Sequence, residues 1–207
     1  MRHPVRFRVI VPVLTAIVLV HGLSAPATAQ ISPEALLGGV LAPDTNLSEY
    51  KDVADAIVLF RRGNASGSLA LLAKARNEHP ELAPSEVMFA HLCFAFDSID
   101  EGRAVLESSV VNQPEDPEAY IMIADLAMRQ GRMAESEAMF RKGLDLTDIY
   151  DANEVRKRSM RINAHAGIAR VFESRRQWDQ AEGHLRDWID LDRKKECGME
   201  TTRRSVL

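Results

Sequence analysis

The chain repeats a pattern of similar residues at intervals of 34 positions. Three consecutive units, and a fourth that follows an insertion at 151–161, occupy residues 49–82, 83–116, 117–150 and 162–195. A fixed period of this length is typical of arrays whose units are single supersecondary structures. Such a unit does not bury its apolar face alone, so neighbouring units stack and stabilise one another. The period therefore predicts one repeat domain over residues 49–195.

The units agree most closely at two positions where small residues recur. The eighth and twentieth residues of the four units are Ala56, Ala90, Ala124, Ala169, Ser68, Gly102, Ser136 and Ala181. Two helices approach each other closely only where the facing side chains are small. Large apolar residues at helical spacing surround these positions and would fill the remaining interface. Each unit is therefore predicted to be a pair of antiparallel helices.

Residues that start, turn or stop a helix stand at the expected places. Gly63 and Gly131 suit the left-handed conformation that ends the first helix of a hairpin. Pro80 and Pro114 lack a backbone donor and close the first two units. Asp116 precedes a proline and a glutamate, which is a favourable helix start. These signals divide the repeats into helices and turns.

The insertion at 151–161 fits the same scheme. Its eleven residues span about three helical turns, so they lengthen a helix and almost preserve its facing. We therefore predict one long first helix over residues 151–175 in the fourth unit.

The third unit, PEAYIMIADLAMRQGRMAESEAMFRKGLDLTD, resembles the tetratricopeptide consensus. The resemblance rests on an aromatic Tyr120, a small Ala124, the turn residue Gly131 and a late aromatic, Phe140. It implies an all-α fold: a right-handed superhelical solenoid of four helix-turn-helix hairpins. The other units depart from the consensus at their fourth position, which holds Asp52, Glu86 and His165.

The first 29 residues have the pattern of a secretory signal peptide. Three arginines precede an apolar run of about a dozen residues, and small residues lead up to Ala29. The run is shorter than the ~20 residues that span a bilayer. We expect cleavage after Ala29 and a periplasmic or secreted protein. Residues 30–48 form an apolar segment that either packs into the repeat domain or is partly flexible, and residues 196–207 are predicted to be a flexible tail.

Composition argues against several function classes. Without residues 1–29, which hold three arginines and no acid, 23 basic residues face 30 acidic ones, a formal net charge of −7. An acidic chain without a basic stripe is a poor candidate for binding nucleic acid. No later segment is long and apolar enough to span a membrane. Cys93 and Cys197 are too few for a disulfide framework, and Cys93 is predicted to be a core residue.

No motif of an enzyme, a cofactor site or a metal site is recognised. The chain lacks a phosphate-binding glycine loop, HExxH, paired CxxC and GxSxG. Its histidines at 79, 91, 165 and 184 are scattered and are interpreted as surface or helix-packing residues. The basic runs 156–158 and 193–195 are interpreted as solvated helix faces. We therefore predict a protein that is not an enzyme and holds no cofactor and no metal.

The resemblance to tetratricopeptide proteins implies a concave groove lined by the first helices. Carried onto this chain, the groove positions are Tyr50, Val53, Ile57, Phe60, Arg61, Val87, His91, Phe94, Ala95, Ile121, Asp125, Met128, Arg129, Asn163, Arg170 and Glu173. The basic clamp for a C-terminal carboxylate, found in the family's chaperone adaptors, is missing. This groove is apolar at its N-terminal end and polar towards its C-terminal end.

These features predict an exported protein–protein interaction scaffold. An amphipathic or extended apolar peptide would suit the groove, although residues 30–48 could fill it instead. His91, Asp125 and Arg170 share position nine, where they form either a polar ladder for a ligand or, as we favour, a simple Asp125–Arg170 ion pair. The alternative function is a structural subunit of a cell-envelope complex, or a homo-oligomer, that uses the outer helix faces.

Overall fold

The computed structural model describes residues 50–205. The predicted signal peptide, residues 1–29, and the apolar segment at 30–48 lie outside the described residues, so both remain predictions. Within the described part the chain forms eight α-helices and no strand. In chain order, α1 to α8 are Lys51–Arg61, Ala65–Glu78, Ser85–Ala95, Ile99–Asn112, Pro117–Arg129, Met133–Ile149, Glu154–Ser174 and Trp178–Ser205. None of these helices combines the length and apolar character needed to cross a membrane.

The helices pair as four hairpins, α1 with α2, α3 with α4, α5 with α6 and α7 with α8. Each hairpin also contacts the next through its neighbouring helix, and α5 packs directly against α7. Short turns join the two helices of each hairpin and make them antiparallel. The predicted all-α solenoid of four helix-turn-helix hairpins is therefore confirmed.

The small residues lie where the pattern predicted. All eight residues at positions eight and twenty of the units are buried. Gly102 shows why they are small: a Cβ atom added to it would lie 2.6 Å from Cε1 of Phe94 and 2.9 Å from Cβ of Cys93. Close helix approach therefore explains the repeat in physical terms.

The turn inside each hairpin places its fifteenth residue in the left-handed region. Gly63 and Gly131 have φ values of 78° and 76°, as their identity predicted. The same conformation occurs in the other two units at Asp97, with φ of 62°, and at Arg176, with φ of 59°. The turn geometry is thus a property of the repeat, and two units achieve it without glycine.

The last hairpin differs from its prediction at three boundaries. Helix α7 begins three residues later than expected because the side chain of Asn153 caps it, accepting a hydrogen bond from the Arg156 backbone N–H at 2.9 Å. It also ends one residue earlier, at Ser174. Helix α8 continues to Ser205, so residues 196–205 extend the last helix, and the flexibility predicted for them stays a prediction. No proline interrupts the chain after Trp178, and nothing in the backbone forces an earlier end.

Two apolar clusters form the core. The first joins the first two hairpins to α5 and contains Leu72, Leu92 and Leu106, which are fully buried. The second cluster is smaller; it runs from α5 to α8 and includes Phe140 and Ile168. Cys93 is buried in the first cluster as predicted, and burial raises the pKa of its thiol to about 12.

Candidate functional site

A pocket of about 350 Å³ opens between α3, the start of α4, α5, α6 and α7. Its lining residues are His91, Phe94, Ile99, Ile121, Met122, Asp125, Leu126, Arg129, Phe140, Asn163, Ala166 and Arg170. Seven of the predicted groove residues are among them: His91, Phe94, Ile121, Asp125, Arg129, Asn163 and Arg170. The first helices of the second, third and fourth units therefore share one depression.

The pocket has an apolar interior and a charged rim. Phe140 and Ile121 are almost fully buried. At the rim, Arg129 pairs with Asp125 on its own helix, with 2.8 Å between Nη2 and Oδ2. Arg170 is exposed and makes no ion pair within the described residues. The rim consequently offers one unpaired positive charge beside an apolar cavity.

Four predicted groove residues at the N-terminal end do not line an open surface. Tyr50, Val53, Ile57 and Val87 are 6 %, 0 %, 3 % and 0 % exposed and belong to the first core cluster. These four apolar side chains are buried in the packing between the first two hairpins. The expectation that they contact a partner is therefore corrected, because a side chain buried in the core offers no surface for binding.

The remaining predicted positions lie outside the pocket. Phe60 is half-buried and packs edge-on against Phe89, with 5.3 Å between ring centroids. Met128 is half-buried against the second core cluster. Arg61 and Glu173 are exposed, and Ala95 is half-buried. The candidate site therefore lies nearer the middle of the solenoid than the predicted groove residues indicated.

The three residues at position nine do not contact one another. His91 Nε2 lies 3.0 Å from Oε1 of Glu118, and Asp125 pairs with Arg129. The predicted Asp125–Arg170 ion pair is wrong. Arg129 follows Asp125 by one helical turn, so it reaches the carboxylate without bridging two helices.

A buried arginine from the insertion is linked through Glu118 to His91 in the pocket lining. Arg156 is 2 % exposed, so its assignment to a solvated face is wrong. Its Nη2 donates to both carboxylate oxygens of Asp116 at 3.0 and 2.9 Å, and its Nε donates to Glu118 at 2.8 Å. Its Nη1 donates to the Tyr150 hydroxyl at 2.9 Å. The lengthened α7 is therefore joined to the start of α5.

The charges in this cluster depend on one another. Burial acts to raise the pKa of Glu118, but Arg156 and then His91 outweigh it and lower that pKa to about 2. Burial raises the pKa of Asp116, and it prevails over the opposing effect of Arg156. Burial acts to lower the pKa of Arg156, but the two carboxylates outweigh burial and raise that pKa. Glu118 therefore stays ionised and bridges Arg156 to His91 at the pocket rim.

The insertion also reaches the first unit. The Asn153 amide donates to the backbone carbonyl oxygen of Glu81 at 3.3 Å. Arg156 contacts Asp116, the last residue of the second unit, and Glu118 of the third unit. The segment that breaks the repeat thus contacts residues of the first three units.

A cluster that the sequence analysis missed lies between α7 and α8. His165 Nδ1 is 3.1 Å from Nδ1 of His184 and 3.5 Å from Oδ2 of Asp187. Burial lowers the pKa of both imidazoles. The view of these histidines as scattered is therefore wrong for this pair. Asp187 follows His184 at i+3, a spacing that could have drawn attention to them.

These features give the protein a TPR-like repeat fold. No family model matches the chain, and no curated protein matches it. Several solved structures resemble it, and two of them are the following. MamA from residue 41 onward, of Desulfovibrio magneticus RS-1, is 16% identical with a TM-score of 0.46, over 79% of this chain and 77% of that one. A thermophilic TPR protein of Thermus thermophilus, TTC0263, is 12% identical with a TM-score of 0.34, over 77% of this chain and all of that one. At these identities and TM-scores, the two likenesses add nothing to what the hairpins themselves show.

Proposed function

We propose that this protein is an exported protein–protein interaction scaffold and that its central pocket binds an extended segment of a partner protein. The observation that carries the proposal is the pocket of about 350 Å³, an apolar cavity on the first helices with the unpaired Arg170 at its rim. We expect the partner segment to insert an apolar side chain and to place a carboxylate beside Arg170.

The apolar interior of the pocket suits an apolar side chain of the partner, and Arg170 at the rim suits a carboxylate. Burying one large apolar side chain contributes about 1.5–3 kcal/mol. A carboxylate at Arg170 would add a charge-assisted hydrogen bond and fix the direction of the segment. Asp125 already neutralises Arg129, so Arg170 is the position at which an acidic partner gains most.

Export is the second part of the proposal and rests on the signal-peptide pattern of residues 1–29. Mass spectrometry of the protein recovered from its host would test it. A mature chain beginning at Gln30 is the expected result. A chain that keeps its N-terminal residues would contradict export by cleavage, and it would leave the pocket proposal standing.

Site-specific photo-crosslinking in the native host tests the binding role. The probe replaces Asn163, an exposed residue of the pocket lining, so that Arg170 is kept, and the control probe replaces Lys142, an exposed basic residue on α6 outside the pocket lining. We expect a crosslink at residue 163 alone, to a peptide with an apolar residue next to an acidic one. Equal crosslinking at both positions, or a crosslink only to residues 30–48, would overturn the proposal.

A charge reversal then tests the role of Arg170. Arg170→Glu should weaken binding of the crosslinked peptide by about tenfold or more, the loss expected when a charge-assisted contact becomes repulsive. Lys142→Glu makes the same change in net charge and should leave the affinity unaltered. Titration calorimetry with the synthetic peptide measures both, and equal losses would mean that only the overall charge matters.

Self-association is a second candidate, because α8 exposes apolar side chains. Trp178 is 62% exposed and Ile189 is 40% exposed, and no further hairpin covers α8 within the described residues. Size-exclusion chromatography with light scattering distinguishes this function. A concentration-dependent dimer that Trp178→Ser abolishes would favour it, and a monomer at all concentrations would eliminate it.

A further inference from the structure

The last hairpin contains three side chains with the chemistry of metal ligands. His165 lies on α7, while His184 and Asp187 lie on α8. One ligand atom from each residue can be chosen so that all three lie within 4.8 Å of one another. None of the three lines the pocket described above, so they form a separate cluster.

Two of the three interligand distances match the edges of a metal coordination polyhedron, and the third is at most 4.8 Å. Two ligand atoms bound to one Zn²⁺ at 2.0–2.1 Å and at a tetrahedral angle lie about 3.3 Å apart. The two His165 Nδ1 separations, 3.1 Å to His184 Nδ1 and 3.5 Å to Asp187 Oδ2, fall on either side of that value. A cation could therefore bind between these atoms with little movement of either helix.

We propose that His165, His184 and Asp187 bind a divalent transition-metal ion, with Zn²⁺ the best fit, and that the ion clamps α7 to α8. Two imidazoles and one carboxylate suit Zn²⁺ and its neighbours, whereas Mg²⁺ and Ca²⁺ favour all-oxygen sites. His184 and Asp187 stand at i and i+3, so they present their ligand atoms from one face of α8.

The surrounding residues restrict the ligand side chains and leave the site open to solvent on one side. The His165 side chain is 7% exposed, and the Asp187 side chain is 62% exposed, so the ion enters from the Asp187 side. The ring of Phe172 stacks on His184 with 5.8 Å between centroids and restricts its orientation. A fourth coordination position remains for water.

The nearby arginines pair with acids. Arg161 pairs with Asp148 at 3.0 Å, and Glu137 pairs with Arg141 at 3.0 Å and also with Arg175. Asp187 supplies the negative charge at the cluster itself. These acids reduce the repulsion between the arginines and a bound cation.

A hydrogen bond between the two imidazoles is the alternative explanation of their contact. Two facing Nδ1 atoms at 3.1 Å require one ring to donate and the other to accept. A bound ion replaces the shared proton and accepts both lone pairs. The two explanations differ in whether Asp187 matters, because the imidazole–imidazole hydrogen bond does not use its carboxylate.

Calorimetric titration of the tag-free full chain with ZnCl₂, after removal of metal, tests the proposal. We expect saturation at one equivalent and a rise of about 5 °C in the midpoint of thermal unfolding at saturating Zn²⁺. His184→Gln and Asp187→Asn should each weaken Zn²⁺ binding by about tenfold or more. Asp187 is exposed, so Asp187→Asn keeps the test valid even if His184→Gln folds poorly.

His79→Gln is the matched control, since His79 also has an acidic neighbour, Glu81, at 3.3 Å. It should bind Zn²⁺ as the parent protein does, and MgCl₂ should give no comparable heat or thermal shift. Absence of saturable binding near one equivalent would overturn the proposal. So would affinities that stay unchanged in both His184→Gln and Asp187→Asn.

Discussion

The two halves of the solenoid are held together by different chemistry. One apolar cluster runs from Tyr50 through the fully buried leucines of the first two hairpins and reaches Met122 on α5. The last two hairpins have a smaller apolar cluster, and they add the buried Arg156 ion pairs and the His165–His184 contact. Both halves have the same repeat of hairpins, but different interactions hold the interior of each half together.

This difference shows what the insertion changes. Apolar contacts are non-directional, so they stabilise a stack of hairpins without fixing any one side chain. A buried arginine between two carboxylates is directional, and breaking it leaves an uncompensated charge. The C-terminal half should therefore respond to single charge changes and to pH as well as to volume changes, whereas the N-terminal half should respond mainly to volume changes.

The largest effect is expected for Arg156→Met, which keeps much of the side-chain volume and leaves Asp116 and Glu118 without their cation. We expect the free energy of unfolding to fall by about 3–5 kcal/mol. Urea unfolding followed by circular dichroism measures this loss. Arg158→Met, a half-exposed neighbour, should change stability by less than about 0.5 kcal/mol.

Removal of all three charges sharpens this test. Asp116→Asn and Glu118→Gln, added to Arg156→Met, should recover part of the loss because no unpaired buried charge remains. If the triple variant is no more stable than Arg156→Met alone, the loss comes from packing and not from charge.

Acid should weaken the ion-paired half first. The pKa of Glu118 is lowered to about 2 in the folded protein, so its stabilisation is complete above the unfolded pKa near 4.5 and disappears as the pH falls towards 2. Linkage gives a loss of about 3 kcal/mol from this one group between pH 5 and 2. Asp116, whose pKa is raised by burial, has the opposite sign and offsets part of it.

Comparison of variants isolates the Glu118 contribution. Unfolding measured at pH 5 and pH 2.5 should show a smaller pH effect in Glu118→Gln than in the parent protein. Leu92→Ala, in the apolar half, should cost about 2–5 kcal/mol at pH 5 and keep the full pH effect. An equal pH effect in all three proteins would place the acid sensitivity elsewhere.

The next effect concerns volume at close helix contacts. A Cβ on Gly167 would lie 2.2 Å from Cζ of Phe140, which is buried, so Gly167→Ala should cost about 1–3 kcal/mol. Gly102→Ala should cost a similar amount, since the half-buried Phe94 ring has room to shift into the pocket but Cβ of the buried Cys93, 2.9 Å away, does not. Gly183 has no atom within 4 Å of an added Cβ, so Gly183→Ala should instead stabilise α8 by about 0.5–1 kcal/mol. Thermal unfolding of the three variants checks this order, and a stabilising Gly167→Ala would contradict it.

The sequence was sufficient for the hairpins and for part of the pocket. Alanine at position eight and the left-handed glycines act within one unit, so a single period reveals them. The facing of Asp125 and Arg170 was implied by the resemblance to tetratricopeptide proteins, and both residues line the pocket. The insertion kept the helical facing, and α7 could be predicted to within a few residues.

The buried contacts between distant residues could not be predicted in this way. Arg156 stands in a basic run that looks solvated, and its acidic partners lie 38 and 40 residues away in the chain. His165 and His184 are 19 residues apart on different helices. Such contacts depend on how far one helix is displaced along the next, and the hydrophobic pattern of a single unit does not determine that displacement.

The smallest effects are expected in the four turns. The fifteenth residue of each unit has the same left-handed backbone conformation, but it is glycine in only two of the four units. A left-handed conformation costs a residue with a Cβ about 1–2 kcal/mol, and aspartate tolerates it better than arginine. Arg176→Gly should therefore stabilise the last hairpin by about 0.5–1 kcal/mol, after allowance for the greater freedom of glycine in the unfolded chain. Asp97→Gly should be nearly neutral, and Gly131→Ala should cost about 1 kcal/mol. Urea unfolding of the three variants decides the ranking. If Arg176→Gly is destabilising, the Arg176 side chain contributes more to the fourth turn than its backbone conformation costs.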